Sequence, residues 1–436
     1  MLERLPAAVR RWLLGLALRA RPGGSSDPSA LLAQLPESTL APLRREGVAP
    51  SAAMAALRDR EPVSALRLPF GLRGWLVAGY DEARAVLADT ASFSNDYAHV
   101  VGAVGAAPER DPGGLGMADA PDHTRLRRLL MPEFTSHRLA RLTGRIDAIV
   151  DEQLDAMAAA ADADGVVDLA RHLAWPVPTR VITELLGVDP TEHTALAALS
   201  AARFDATAGA GGALAAVSVS VEALVPVVQR QRENPGDGLL GRLVVDHGDE
   251  LTDRELAGLT DGLLTGGLET SAAMLALGTV VLLRSPGALA EIGASPERCA
   301  ATVDELLRYL TVVQVAFPRF ARADVTVGGR RIRAGDVVLV SLSLANRDPR
   351  IAGQSSPVDD LDPRRAMPAH LAFGSGVHRC VGAELARLEL RSAYSRLARR
   401  FPDLTLAVPE SELEYRPLSL VFGVESVPVR LAPVAP

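Results

Sequence analysis

The chain has 436 residues, carries a net charge of −7 and is 48 % hydrophobic, so it can fill one large core or two closely packed ones. All 46 basic residues are arginine; the mild acidity argues against nucleic acid as a general partner, and the arginine-only usage points to a GC-rich genome rather than to a function. Two cysteines, Cys299 and Cys380, exclude a disulfide framework and a four-thiolate zinc site and suit a reducing compartment.

At the N-terminus Arg10-Arg11 precede an apolar run, Trp12 to Leu18, closed by Arg19 and Arg21. The run is too short to span a bilayer and lacks a convincing cleavage site, so it reads as an amphipathic helix resting on the body or a partner. Residues 1–30 are therefore expected to be an amphipathic extension with a flexible stretch, without a transmembrane segment, in a cytoplasmic protein. Leu76-Val77 beside Gly79-Tyr80 reads as a strand end followed by a helix over DEARAVLAD. The Gly- and Ala-rich stretch from Asn95 to Gly116 reads as a mobile loop, and HTRLRRLLM from residue 123 opens a further helix.

Thr252 and Glu255 stand at capping-box spacing, and the apolar pattern behind them continues to Arg284, just before Ser285-Pro286. This predicts one helix of about 32 residues and about 48 Å, enough to cross a whole domain. Cys299 falls on an amphipathic helix and reads as packed. Val325 to Val327, Gly328-Gly329, Arg331 to Arg333 and Val337 to Leu342 form the clearest strand set, with Gly-Gly as the hairpin turn. Helix is the majority and sheet is local.

The segment LAFGSGVHRCVGAEL, residues 371 to 385, places Cys380 among Gly374, Gly376 and Gly382, two residues after His378. Such glycines allow a tight turn whose N–H groups can bond a sulfur, and the helical pattern that follows aims its positive end at the same atom. A stabilised thiolate there is a nucleophile or a metal ligand. A dinucleotide fingerprint fails because Arg379 stands where its third glycine belongs. Zinc finds no second Cys/His pair nearby. A cysteine nucleophile stays open on this loop alone, since its histidine base and oxyanion hole can come from elsewhere. Thiolate ligation of heme iron accounts for the whole set.

Phe373-Gly374-Ser375-Gly376-Val377-His378-Arg379-Cys380-Val381-Gly382 resembles the heme-binding signature of the cytochrome P450 superfamily in its bacterial form. Other segments share the likeness, which covers roughly residues 60 to 430, including ANRDP at 345 to 349. Glu305 and Arg308 resemble the ExxR pair that fixes the heme-binding core. The family's third partner is an arginine, but Asp360 stands at its place, with Arg364 or Arg365 as the replacement. Gly266-Gly267-Leu268-Glu269-Thr270-Ser271 resembles the oxygen-activation motif. Two glycines inside a helix cost about 1 kcal/mol each, and their missing side chains would open a notch and leave a carbonyl free for water. His123 with Arg127, Arg319 and His378 match propionate-binding positions.

The resemblance implies a mostly α fold with a small β region, a long central helix over the heme and one heme domain over 31–436. Cys380 would be the axial ligand of heme b. Gly266, Gly267, Phe373, Gly374, Gly376 and Gly382 would border the cofactor. Glu269 and Thr270 would pass protons during oxygen activation. It implies a monomeric monooxygenase, working by hydroxylation or epoxidation, supplied with O2 and NAD(P)H-derived electrons by a ferredoxin and its reductase. Arg125, Arg128, Arg379 and Arg387 would form the docking face. The Ala/Gly/Val-rich stretch 206 to 225, the loop 95 to 116, Leu263 to Gly267 and Val312 to Phe317 would line a roomy pocket for a medium or large, mainly apolar molecule. The rivals are oxidative coupling without oxygen insertion and a non-catalytic heme sensor or scaffold.

Overall fold

The computed structural model describes residues 40–68, 73–96, 114–189, 209–285, 287–351, 357–365, 369–416 and 418–431, with backbone alone over 209–219. The extension 1–30 and most of the loop 95–116 lie outside the described residues. In chain order the elements run α1 (Ala52–Arg60), β1 (Val63–Arg67), β2 (Arg73–Val77), α2 (Tyr80–Ala88), β3 (Phe93–Ser94), α3 (Asp122–Leu130), α4 (Ser136–Ala140) and α5 (Thr143–Ala159). After β4 (Val166–Asp168) come α6 (Pro176–Leu186), α7 (Gly209–Glu233), α8 (Leu239–His247), α9 (Asp253–Arg284), α10 (Ala288–Ala294) and α11 (Pro296–Leu310). Then follow β5 (Arg319–Ala321), β6 (Val325–Val327), β7 (Arg330–Ile332), β8 (Val337–Val340), α12 (Leu342–Ala345), α13 (Ala383–Arg400), β9 (Thr405–Leu406) and β10 (Pro428–Arg430).

The central helix α9 has the limits its sequence predicts, 32 residues after a complete capping box: Thr252 Oγ1 accepts from the Glu255 N–H while Glu255 accepts from the Thr252 N–H. It is apolar on all sides and long enough to cross a membrane, but most of it is buried inside the protein against α6, α7 and α13. Tyr394 of α13 donates its hydroxyl to the Met274 carbonyl, and only glycine fits at 278, where a Cβ would lie 1.9 Å from that hydroxyl. Leu390, Tyr394 and Leu397 share the buried face of α13, and Cys299 of α11 is buried as expected.

The main sheet has the order β1-β2-β8-β5-β3; β2 and β8 are parallel and the other pairs antiparallel. Gly328 and Gly329 both take positive φ, 54° and 74°, and close the β6–β7 hairpin. The second hairpin strand spans Arg330–Ile332, one residue earlier than the pattern suggests. β8 stops at Val340 because Ser341 caps α12 by accepting from the Leu344 N–H. A second, three-stranded sheet, β9-β10-β4, ties the C-terminal segment back to the start of α6's region.

Candidate active site

The cysteine loop is closed by its own backbone. The Cys380 N–H donates to the Phe373 carbonyl at 2.9 Å, and the Gly374 N–H to the Leu371 carbonyl at 2.8 Å. Gly374 and Gly376 have φ of 69° and 73°, which side chains disfavour. At Gly376 a Cβ would also come within 2.6 Å of the Leu87 carbonyl at the end of α2. Gly382 differs: it is the N-cap of α13 with φ of −83°, and a Cβ there would meet Cys380 Sγ at an ordinary 3.9 Å. Its contribution is an N–H that bonds the sulfur. Solvent reaches Cys380 along one side, yet the protein packed around the sulfur pushes its pKa up; the Gly382 N–H, Arg127, Arg379 and Arg387 oppose this. Phe373 lies between the His370 ring and the Arg387 guanidinium.

Four basic side chains converge beside this loop. His123 of α3 and His378 have ring centroids 4.1 Å apart, Arg127 donates to the Arg379 carbonyl at 2.7 Å, and buried Arg319 donates to the Phe317 carbonyl at 2.7 Å. Burial, then the neighbouring cations, depress His378 to about 4, and burial lowers Arg319 to about 10; His123 shifts down for the same reasons. Among the described residues Asp119 is the one acid that acts on His123, Arg319 and His378, and it already accepts from Ser94, Asn95 and Arg322. His123 Nε2 is buried with no hydrogen-bond partner. A cluster of donors short of acceptors fits an anionic ligand, as the carboxylates of a heme would be.

On α9 the two glycines part company. A Cβ on Gly266 would meet nothing within 4 Å, so this position opens a face of the helix; Gly267 instead packs against Ile182 of α6, where a Cβ would lie 3.0 Å from its side chain. Gly267 thus serves the packing of α9 on α6. The helix runs unbroken, and at the notch the Gly266 carbonyl accepts the Thr270 hydroxyl at 2.6 Å. Glu269 is buried and paired with Arg416, with Oε2 unpartnered; burial lifts its carboxyl to about 7 against the opposing pull of Arg416. Behind it, Glu389 of α13 is a fully buried carboxyl raised to about 8 by desolvation, with Ser271 as hydrogen-bond donor and Oε2 unpartnered.

Residues 299–421 match the family model described as Cytochrome P450. The chain is 40 % identical to cytochrome P450 165C4 of Amycolatopsis orientalis, an alignment covering 81 % of this chain and 86 % of that protein. It is also 40 % identical to the cytochrome P450 monooxygenase PikC of Streptomyces venezuelae, over 86 % and 89 %. The chain belongs to the bacterial cytochrome P450 family. The solved structure of OxyC, a cytochrome P450 implicated in an oxidative C-C coupling reaction during vancomycin biosynthesis, superposes with a TM-score of 0.77 at 37 % identity, covering 89 % of this chain and 95 % of that one. The mostly α fold with small sheets is the P450 fold, and the protein is a heme-iron P450 monooxygenase whose relatives serve natural-product biosynthesis. Enzymes of this family take electrons from redox partners and act on small molecules.

The P450 core motif is complete in an unexpected way. Arg308 makes two bonds of 2.7 Å to Glu305, and its remaining N–H groups donate to the carbonyls of Asn346, Val358 and Asp360. Asp360 contributes its carbonyl, so its side-chain type is immaterial there. The third partner is Arg365, whose Nε lies 3.3 Å from Glu305 and whose terminal nitrogen donates to Pro357 and Asp360. In the ANRDP stretch, Asn346 joins Thr311 at the end of α11 to the Leu371 N–H at the start of the cysteine loop, and Asp348 accepts from the first N–H of α2.

The arginines expected as a docking face divide likewise. Arg387 is tied to Asp304 and Glu384, and Arg125 to Glu255, so both brace the fold. Arg128 and Arg379 are exposed. Of the expected pocket wall, Phe317 is exposed and its ring covers Gly116, whereas Val221 and Leu224 of α7 are buried in the core; residues 97–113 and 190–208 lie outside the described residues. Sequence reading missed Glu389 and Arg416. Glu389 had a signal, because it stands four residues from both Leu385 and Ala393 on the buried face of α13. Arg416 had none, being 147 residues from Glu269.

Proposed function

We propose that this P450 inserts one atom of O2 into a medium or large, mainly apolar, natural-product-like molecule, by hydroxylation or epoxidation. The acid and alcohol of α9 carry the reading: Thr270 lies beside the open Gly266 position, and Glu269 next to it has a carboxyl near 7. Cys380 would hold the iron of heme b through its thiolate, with His123, Arg127, Arg319 and His378 receiving the propionates. The bound heme supplies oxygen chemistry, tuned by thiolate electron donation. The chain's own part is proton handling and exclusion of bulk water. Thr270 exchanges its bond to the Gly266 carbonyl for one to a water on the open face, and Glu269, half-protonated near neutrality, replenishes that water's proton. Electrons derived from NAD(P)H would come from a ferredoxin and its reductase, docking over Arg128 and Arg379. Residues 31–436 would act as one monomeric, cytoplasmic heme domain. Phe317 supports an apolar pocket wall, being half exposed beside Arg319.

The second reading, oxidative coupling, is favoured by the likeness to OxyC. The first test is the dithionite-reduced, carbon monoxide-bound absorption spectrum of the heme-loaded protein. A strongly red-shifted Soret band that is lost in Cys380→Ala supports thiolate ligation by this residue; a band that persists in the variant overturns it. Turnover under labelled O2 with substrates found by spin-state shift then separates insertion from coupling, which leaves no label in the product.

A further inference from the structure

We propose that Asp304 is a positioning residue for the cysteine loop, holding Phe373 in place through Arg387 on one side of the ring and His370 on the other. This rests on reading Cys380 as the thiolate ligand. A single carboxylate oxygen closes the arrangement: Asp304 Oδ1 accepts from Arg387 Nε at 2.7 Å, and His370 Nε2 lies 3.8 Å from the same atom. The Arg387 guanidinium carbon stands 4.8 Å from the centre of the Phe373 ring, and the His370 ring centre lies 5.7 Å from it, tilted by 44°. The Phe373 carbonyl receives the Cys380 N–H, so whatever fixes Phe373 also fixes the backbone that carries the sulfur.

His370 is oriented by its other nitrogen. Nδ1 accepts from the Ala372 N–H at 3.2 Å, which leaves the proton of the neutral ring on Nε2. That Nε2 is buried without a hydrogen-bond partner, in a side chain only 10 % exposed. Its pull toward Asp304 is electrostatic, because 3.8 Å is too long for a hydrogen bond. Burial pushes the Asp304 carboxyl up, but His370 and Arg387 outweigh this and hold it at about 2, so it is an anion at any working pH.

An ion pair at the surface contributes little by itself. This one differs because its cation is 13 % exposed and lies against an aromatic ring, so the acid controls what supports the ring. His370 stands before the cysteine in the chain and Arg387 after it, on α13, and one acid of α11 therefore ties the two ends of the loop together. Neighbouring Glu305 does the same one step earlier, taking Arg365 and the Asp362 N–H. Glu384 is a natural control: it is 46 % exposed against 45 % for Asp304 and also binds Arg387, but among the described residues it pairs with no other cation.

The test uses the heme-loaded full chain and the variants Asp304→Asn, His370→Asn and Glu384→Gln; asparagine at 370 keeps an acceptor for the Ala372 N–H but cannot reach Asp304. The first readout is the rate at which the red-shifted band of the reduced, carbon monoxide-bound protein decays to the unshifted form. Asp304→Asn and His370→Asn should each speed it about tenfold, and the double variant should be no faster than the faster single one. Glu384→Gln should keep the wild-type rate. The reduction potential then separates position from charge, since Asp304→Asn and Glu384→Gln remove the same charge and His370→Asn removes none. Positioning moves the potential in Asp304→Asn and His370→Asn, by about tenfold in the reduction equilibrium or about 59 mV for one electron, and leaves it in Glu384→Gln. A potential that moves alike in the two acid variants and stays put in His370→Asn overturns the proposal, as does wild-type decay in both Asp304→Asn and His370→Asn. If Asp304→Asn does not fold, His370→Asn against Glu384→Gln carries the same decision. A wild-type protein that never shows the red-shifted band would instead sink the thiolate reading, before any variant is compared.

Discussion

The Glu305 network and the α9 face near Glu269 are both buried and both contain arginine–carboxylate pairs, but they are satisfied to different degrees. All the N–H groups of Arg308 find acceptors, and Glu305 takes Arg308, Arg365 and the Asp362 N–H. Around α9 and the cysteine loop, by contrast, Glu269 Oε2, Glu389 Oε2, His123 Nε2 and Arg416 Nε are buried without partners. Unpaired buried groups cost about 1–3 kcal/mol each, so a fold concentrates them where ligand, water or proton traffic supplies the missing partner. The first region is a clamp and the second is machinery.

Breaking the clamp should have the largest effect. Glu305→Gln leaves two guanidinium groups around a neutral acceptor and should cost about 3–5 kcal/mol, read as a shift in denaturant midpoint together with loss of heme retention. A shift below about 1 kcal/mol would contradict the distinction drawn here. Next comes the machinery's own destabilising charge. Glu389 has a native pKa near 8, above its unfolded value, so the native state binds the extra proton. Its stabilising contribution is full below about 4.5 and is lost as pH rises to about 8. Glu389→Gln should remove that slope and make the variant more stable than wild type at pH 8 by a few kcal/mol; parallel pH–stability curves would refute this.

The cysteine loop sharpens the comparison at single glycines. Gly376→Ala forces a side chain into left-handed backbone against the Leu87 carbonyl and should cost about 2 kcal/mol or more, whereas Gly382→Ala should stay within about 1 kcal/mol. Equal losses in thermal unfolding would show that loop strain is not the issue. Thr270→Ala should disturb stability least, by about 1 kcal/mol for one hydroxyl bond, while lowering product formed per electron and raising peroxide release. Unchanged coupling would remove Thr270 from the proton path.

Much of this was legible along the chain because it is local. The limits of α9 follow from a capping box and an unbroken apolar pattern, and the turns at Gly374, Gly376 and Gly328-Gly329 follow from what glycine alone adopts readily. Glu305 and Arg308, three residues apart on α11, pair as their spacing requires. The place of Arg365 was half legible: an arginine was wanted, and two candidates stood close together in the chain. The packing role of Gly267 was not legible, because a glycine that opens a face and one that admits a neighbouring helix look alike in sequence; only Ile182 tells them apart.

The sequence by itself determined the family, the long central helix, the cysteine loop and the chemical kinds of side chain at the site, since these depend on residue identity and short-range spacing. The tertiary structure alone decided which acid became half-protonated near neutrality, which glycine faced open space, and that Arg416 stands between Glu269 and solvent. A carboxyl's proton affinity is the balance of lost hydration and every nearby charge, and those terms come from segments far apart in the chain that meet only when it folds.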